Sequence, residues 1–278
     1  MVFYPDIWAD CVNSELPHTM GIITRLSADF TSMVNEITQY GEKVHFPSFD
    51  RIGEAEEMRV GHELTPEQVS ISDSTATVKQ VGKAIRIYDK ELVGIKGNTY
   101  GEHARQVAEA MMEKLELDII KEIDNNALFS VSLTNGNLTL GDIQNAMNYF
   151  GDKRIFSSFS GIVCNSYFAN AFYNMPMFTD ITSTTNNIAQ AATNGIMDAA
   201  NCIGYLYAIP VYLTDVGTLT DDNEPKLYIL KKRAVGKIMQ RGVTVEHGRR
   251  DLLKATDISC DTLYAAKLLN PKGVVVLK

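Results

Sequence analysis

The apolar positions of this chain change period several times. Ile22, Ile23, Leu26, Phe30, Val34 and Ile37 recur at helical spacing until Gly41 stops them. Lys43-Val44-His45-Phe46-Pro47 then alternates as a short strand does. Between 48 and 75 no period holds, and Asp50, Arg51, Glu54, Glu56, Glu57, Arg59, Glu63 and Asp73 stand among few large apolar side chains. A stretch of this length without a period is uncommon inside a compact domain and marks an excursion or a functional loop. Alternation resumes from Thr75 to Tyr88. Ala76 and Val78 share one phase, and Val81, Ile85 and Ile87 the other. The change beside Gly82 predicts a bulge or twist there. Residues 42–88 therefore read as a long two-stranded projection. An isolated hairpin is only marginally stable in water, so another subunit is expected to cover it.

Residues 99–124 predict a long amphipathic helix. Thr99-Tyr100-Gly101-Glu102 is a capping-box pattern, and Ala104, Val107, Ala108, Met111, Leu115, Ile119 and Ile123 form one stripe. His103, Arg105, Glu109, Glu113, Lys114, Glu116 and Lys121 fall mostly off it, and Asn125-Asn126 ends it. Asp118 lies beside the stripe, where a cap or a pair with Lys or Arg is expected of it rather than acid catalysis. In the middle section Thr139 caps a helix over 140–150, Gly161–Cys164 is a short buried strand, and Ser166–Tyr173 is helical. Thr179–Asn187 reads as a polar loop, followed by a weak helix to Asn201. Gly204–Leu213 gives two strands with a turn, and Lys226–Leu230 another. The tail predicts short strands at Val235–Gln240, Gly242–His247 and Val274–Leu277. A longer one runs from Ile258 to Leu268, with Ile258, Cys260, Tyr264, Ala266 and Leu268 on one face and Ser259, Asp261 and Lys267 on the other. The fold class is α+β, one long helix against strands drawn from distant parts of the chain.

A chain of 278 residues and 30.8 kDa is long enough for a real core. As a lone globule it would expose roughly 12,000 Å² and bury about 70–75% of its extended-chain surface. With 45% hydrophobic residues, disorder is not its main state. The net charge of −8 argues against a wholly basic nucleic-acid binder. That figure hides two opposite segments. Residues 226–254 hold nine Lys or Arg against Glu246 and Asp251, and residues 42–63 hold three cations against six acids. Cys11, Cys164, Cys202 and Cys260 are scattered, which fits a reducing cytosol rather than a disulfide scaffold. The N-terminus lacks a signal-peptide pattern, and no window reaches the 18 or so apolar residues of a membrane span.

Catalytic motifs are not found. None of His18, His45, His62, His103 and His247 lies in a metal-binding spacing, and GxSxG, GxxxxGK[ST] and GxGxxG do not occur. No cofactor or metal is expected. Glu54-Ala55-Glu56-Glu57 and Asp221-Asp222-Asn223-Glu224 lack EF-hand spacing and read as solvated loop faces. Lys231-Lys232-Arg233 and Arg249-Arg250 could meet phosphates, but only Tyr228 is near enough to interleave as a single-strand binder requires. Contact with acidic protein is the better reading, because opposite patches on one chain suit head-to-tail self-association.

The order of these segments resembles the major capsid protein of tailed double-stranded DNA bacteriophages, the Hong Kong ninety-seven type capsid fold. Gly41 to Pro47 resembles the strand entering that family's extended loop, and Val81-Gly82-Lys83-Ala84-Ile85-Arg86-Ile87-Tyr88-Asp89 the strand leaving it. Residues 99–124, with Arg105-Gln106-Val107-Ala108, resemble its spine helix. Ile203 to Tyr212 resembles an axial-domain segment, and Val245 to Asp251, Tyr264 and Pro271 to Leu277 the last peripheral strands. The resemblance implies an N-terminal arm at 1–41, an extended loop at 42–88, a peripheral domain at 89–130 and 231–278, and an axial domain at 131–230. It implies a structural subunit, not an enzyme, that assembles with itself into hexamers and pentamers of an icosahedral shell. That shell would enclose double-stranded DNA without reading its sequence. The arm beginning at Met1 implies a separate scaffolding protein or none; a portal and a decoration protein are further implied partners. The virion is the implied location, with assembly in the host bacterial cytoplasm. Arg51, Glu54, Glu56, Glu57 and Arg59 are the expected contacts on the loop side. Lys231, Lys232, Arg233, Arg249 and Arg250 are expected on the facing subunit. An encapsulin-like nanocompartment and a cytosolic α+β enzyme are the alternative readings.

Overall fold

A computed structural model describes residues 10–15, 20–33, 43–49, 71–90, 99–133, 136–153, 155–180, 201–220 and 222–278. Helix α1 (Ile22–Leu26) leads into the two-residue strand β1 (Ala28–Asp29). Strands β2 (Lys43–Phe49) and β3 (Ile71–Thr77) form an antiparallel hairpin, and β4 (Lys79–Tyr88) follows. The long helix α2 (Thr99–Asn126) comes next, then β5 (Phe129–Val131), α3 (Leu140–Asn148), β6 (Phe159–Cys164), α4 (Ala169–Tyr173) and β7 (Phe178–Asp180). Strands β8 (Cys202–Leu206), β9 (Ile209–Leu213), β10 (Leu227–Lys231), β11 (Val235–Arg250), β12 (Ala255–Leu268) and β13 (Val274–Leu277) complete the chain.

The strands form a four-stranded sheet ordered β1-β11-β12-β4 and a seven-stranded sheet ordered β5-β13-β10-β6-β9-β8-β7, besides the β2–β3 hairpin. Helix α2 lies in the core that joins them. Its expected stripe is buried throughout, with Ala104, Ala108, Leu115, Ile119 and Ile123 at 0% exposure. Met112, Glu116 and Ile120, off that stripe, are buried as well. The reason is that α2 is covered from more than one side. One core cluster takes in Ile258, Cys260 and Tyr264 of the first sheet and Tyr228, Leu230, Val274 and Val276 of the second. Each such Leu, Ile or Met contributes about 1.5–3 kcal/mol. On β10 and β13 the alternate residues Leu227, Ile229, Val275 and Leu277 face a separate cluster with Ile143, Phe159, Ile162 and Phe172. These two strands are buried on both faces, hence the unbroken apolar run of 274–277.

The structure differs from the sequence reading at four places. The strand expected over Thr75–Tyr88 is two strands. β3 pairs with β2, and β4 pairs with β12 from Lys79↔Tyr264 to Tyr88↔Ala255. The predicted two-stranded projection over 42–88 therefore ends at Thr77, and Lys79–Tyr88 belongs to the four-stranded sheet. That ladder shows no register shift at Gly82, so the expected bulge is not there. The phase change has another cause. Ala76, on β3 itself, and Val78 pack from the hairpin base onto Ile238, Leu263 and Ala265 on one face of the sheet, while Val81, Ile85 and Ile87 pack toward α2 on the other. Gly82 answers to close approach instead, since a Cβ would stand 2.9 Å from the Cys260 carbonyl oxygen. The two tail strands expected at Val235–Gln240 and Gly242–His247 are one long strand, β11, with register shifts between Met239 and Thr244. Finally, α2 runs to Asn126, and Ser166–Phe168 is a 3-10 turn ahead of α4. The polar loop and weak helix expected beyond Asp180 lie mostly outside the described residues.

The Thr139 cap is present in full. Thr139 Oγ1 accepts the Asp142 backbone N–H, and Asp142 Oδ2 accepts that of Thr139 at 3.0 Å. Tyr207 and Ala208, with φ of 51° and 62°, make the tight turn between β8 and β9.

Candidate functional site

The surfaces of interest are the hairpin, the basic residues and the outer strands. Val44, Phe46, Ala76 and Val78 anchor the hairpin base on Ile238, Leu263 and Ala265 of β11 and β12. The Phe46 ring meets Phe30 edge-on at 5.8 Å. Gly236 opens the room, since a Cβ there would stand 3.0 Å from the Phe46 ring. The hairpin's connecting residues, including Arg51, Glu54, Glu56, Glu57 and Arg59, lie outside the described residues.

The basic residues do not form one patch. Lys231, Lys232 and Arg233 sit at the turn between β10 and β11, while Arg249 and Arg250 close the far end of β11. At about 3.3 Å per residue the two groups are roughly 50 Å apart along the strand. Their surroundings differ too. The Lys231 ammonium lies 4.8 Å from the Phe150 ring centroid and 5.5 Å from that of Phe159. Lys232 and Arg233 are exposed, and among the described residues no carboxylate pairs with either. Arg233 adopts φ 58°, which closes the turn tightly.

Arg249 and Arg250 are already engaged within the chain. Arg249 grips Asp89 with two hydrogen bonds of 2.6 and 2.7 Å. Arg250 shares Asp257 with Arg86, which reaches it at 2.5 and 2.9 Å. Hydrogen bonds from Arg86 and Arg250 hold the Asp257 carboxyl below its ordinary range, and one from Arg249 does the same for Asp89. Further along, Gln80, Arg241 and Thr244 converge on Asp261. These bridges tie β4, β12 and β11 side to side across their solvent-facing surface.

Asp118 pairs as expected. It is 8% exposed and accepts from Lys114 at 2.8 Å, the Tyr264 hydroxyl at 2.9 Å and Lys79 at 3.2 Å. Burial pushes its carboxyl up, but these donors outweigh it and hold it below its usual value. Burial, with Asp118 beside it, raises the Tyr264 hydroxyl. Three buried charged groups escaped the sequence reading, Glu116 at 1%, Asp142 at 4% and Lys237 at 5% exposure. The available signal for Glu116 was its spacing of four from both Met112 and Ile120, which puts it on a buried face. No group of three His, Cys, Asp or Glu among the described residues could hold a metal ion. Of the second acidic cluster, Asp222 and Glu224 are exposed in a turn closed by Thr220.

Residues 72–277 match the sequence model of a family described as phage capsid protein. The match runs from β3 to the last residue of β13 and takes in α2 and every strand of the two large sheets except β1. The chain belongs to that family. This capsid-family chain is 24% identical over 151 residues to the major capsid protein of Staphylococcus phage phiMR11. That alignment covers 54% of this chain and 52% of the phage protein, so the chain spans about half the length of the curated relative it matches. Among solved structures it resembles the capsid structure of the cyanophage P-SCSP1u, with a TM-score of 0.62 and 11% identity. The likeness covers 92% of this chain and 87% of that one. A virus-like particle from Pyrococcus furiosus gives a TM-score of 0.61 at 13% identity, covering 100% of both chains. At these identities the likeness is one of fold, and the fold is the Hong Kong ninety-seven type expected from the segment order.

Proposed function

We propose that this capsid-family chain is a major capsid protein. Copies of it assemble into hexamers and pentamers of an icosahedral shell around double-stranded phage DNA. The match to the phage capsid family over 72–277 carries this reading. The hairpin supports it: its base is held by a small apolar cluster, and its acidic connection runs on for 21 residues between β2 and β3. In this reading Glu54, Glu56 and Glu57 of one copy meet basic side chains of another. Lys232 and Arg233 are the favoured partners among the five basic residues, because Arg249 and Arg250 already hold Asp89 and Asp257. Each pair contributes only about 0–1 kcal/mol, so the pairing sets register and partner choice rather than strength. The net charge of −8 suits a container whose wall releases DNA, since a strongly basic wall would bind it tightly. Assembly in the bacterial cytoplasm with a separate scaffolding protein, a portal and a decoration protein belongs to the same reading.

Negative-stain microscopy of the expressed chain tests it. Shells, tubes or capsomers are expected, and a stable monomer or dimer at all concentrations overturns the reading. The Glu54→Lys, Glu56→Lys, Glu57→Lys triple variant is expected to fold but not to assemble; normal shells from it would remove the charge pairing. Nucleic acid inside the particles, rather than a cargo enzyme, separates a phage shell from a nanocompartment.

A further inference from the structure

Helix α1 is gripped near both ends by buried charged side chains from distant parts of the chain. The Glu116 carboxylate, on α2, accepts the Ile23 backbone N–H at 3.3 Å. Gly21 makes this possible, because a Cβ there would stand 1.1 Å from Glu116 Oε2. Lys237, on β11, donates to the Thr24 carbonyl at 2.9 Å and lies 3.7 Å from the Met20 sulfur. Among the described residues neither Glu116 nor Lys237 forms an ion pair. Thr24 Oγ1, in the same joint, is buried without a hydrogen-bond partner among the described residues. A joint made only for permanence would close on apolar side chains or pair its charges, since lone buried charges oppose burial. This one seats an arm segment on two desolvated charges and an unsatisfied hydroxyl.

We propose that this joint is a proton-operated seat for the N-terminal arm: α1 sits firmly on α2 and β11 when Glu116 carries a proton, and releases more readily when Glu116 is ionised. Burial pushes the Glu116 carboxyl from its ordinary 4.5 up to about 6, against the Ile23 and Ile22 N–H groups and Arg25, with Glu113 adding to the rise. The charged groups that act on it are Arg25 on α1 and Glu113 on α2, with Tyr212 of β9 beside Arg25, while Lys237 on β11 feels Asp29 of β1. Seated Glu116 thus binds its proton more tightly than released Glu116. The seat is tightest below pH 4.5 and weakens as pH rises through 6. At one factor of ten per pH step, the full change is about thirtyfold in the seating equilibrium. Burial likewise lowers the Lys237 ammonium, so its charge also opposes seating at neutral pH. The device belongs to the single subunit and stands whether or not the chain builds a shell.

Amide hydrogen exchange on the full-length chain tests it, with rates normalised for intrinsic pH dependence. Arg25, Ser27 and Phe30 are the probes, because their amides donate to Gly21, Ile23 and Lys237 carbonyls. Amides of α2 serve as the internal reference. Opening at the probes is expected to rise about fifteenfold from pH 4.5 to 7.5, half of the full change because released Glu116 is already half ionised at 4.5. Glu116→Gln, which keeps the shape and removes the ionisation, is expected to stay seated with no such rise. Gly21→Ala is expected to release the arm at every pH while α2 stays protected. Flat opening in the wild type, the same rise in Glu116→Gln, or a protected arm in Gly21→Ala would each overturn the proposal.

Discussion

Tyr264→Phe isolates one hydrogen bond in the middle of the molecule. The ring is 1% exposed and packs between β12 and α2, and phenylalanine keeps that packing. What is lost is the hydroxyl that donates to Asp118 at 2.9 Å. A neutral donor to a charged acceptor contributes about 1.5–3 kcal/mol net. Asp118 keeps Lys114 and Lys79, whose side chains are 45% and 57% exposed and therefore share it with water. The expected loss at neutral pH is thus toward the lower end, about 1.5–2 kcal/mol. The sign of the pH dependence follows from the lowered Asp118 carboxyl. Its ionised form contributes stability above its ordinary 3.8, and that contribution disappears as pH falls through its folded value. Wild type and variant should therefore converge at low pH. Urea unfolding of unassembled subunits at about pH 7 and at a pH low enough to protonate folded Asp118 measures both numbers. A loss under about 0.5 kcal/mol at neutral pH, or an equal loss at both, would refute the reasoning.

Phe46→Ala should detach the β2–β3 hairpin from β11 and β12 at a local cost of about 3–5 kcal/mol, read as faster proteolysis and exchange over 43–49 and 71–78. Protection of α2 should be unchanged, and an unaltered hairpin would contradict the anchoring role of that ring. Thr139→Ala removes one half of the capping box and should cost about 0.5–2 kcal/mol in thermal or urea unfolding, with Thr139→Ser recovering most of it. A neutral Thr139→Ala would mean that α3 is held by Ile143, Ala146 and Met147 alone.

The helices and buried strands were legible because their signals are local. The stripe from Ala104 to Ile123, the Thr139 box and the apolar run of 274–277 each sit within a few turns or residues of chain. The partition of Thr75–Tyr88 was not legible, because a strand's sequence does not name its partner. β3 and β4 read as one alternating run, and only the placement of β12 assigns them to different ladders. The phase change resembled a bulge because a sequence shows that both faces are apolar in turn, not that the hairpin covers one and α2 the other.

The charges divide in the same way. Composition alone established an acidic chain with a basic segment at 226–254 and an acidic one at 42–63, and segment order pointed to the capsid fold. Only the tertiary structure decided that the basic residues stand at opposite ends of β11, and that Arg249 and Arg250 are held by Asp89 and Asp257. It alone decided that Glu116 and Lys237 are buried around α1. The physical reason is common to all three. Hydrophobic period and turn chemistry are properties of neighbouring residues, whereas the field and solvent around a charge are set largely by groups far along the chain, as Arg249 meets Asp89 across 160 positions and Lys237 meets Thr24 across 213.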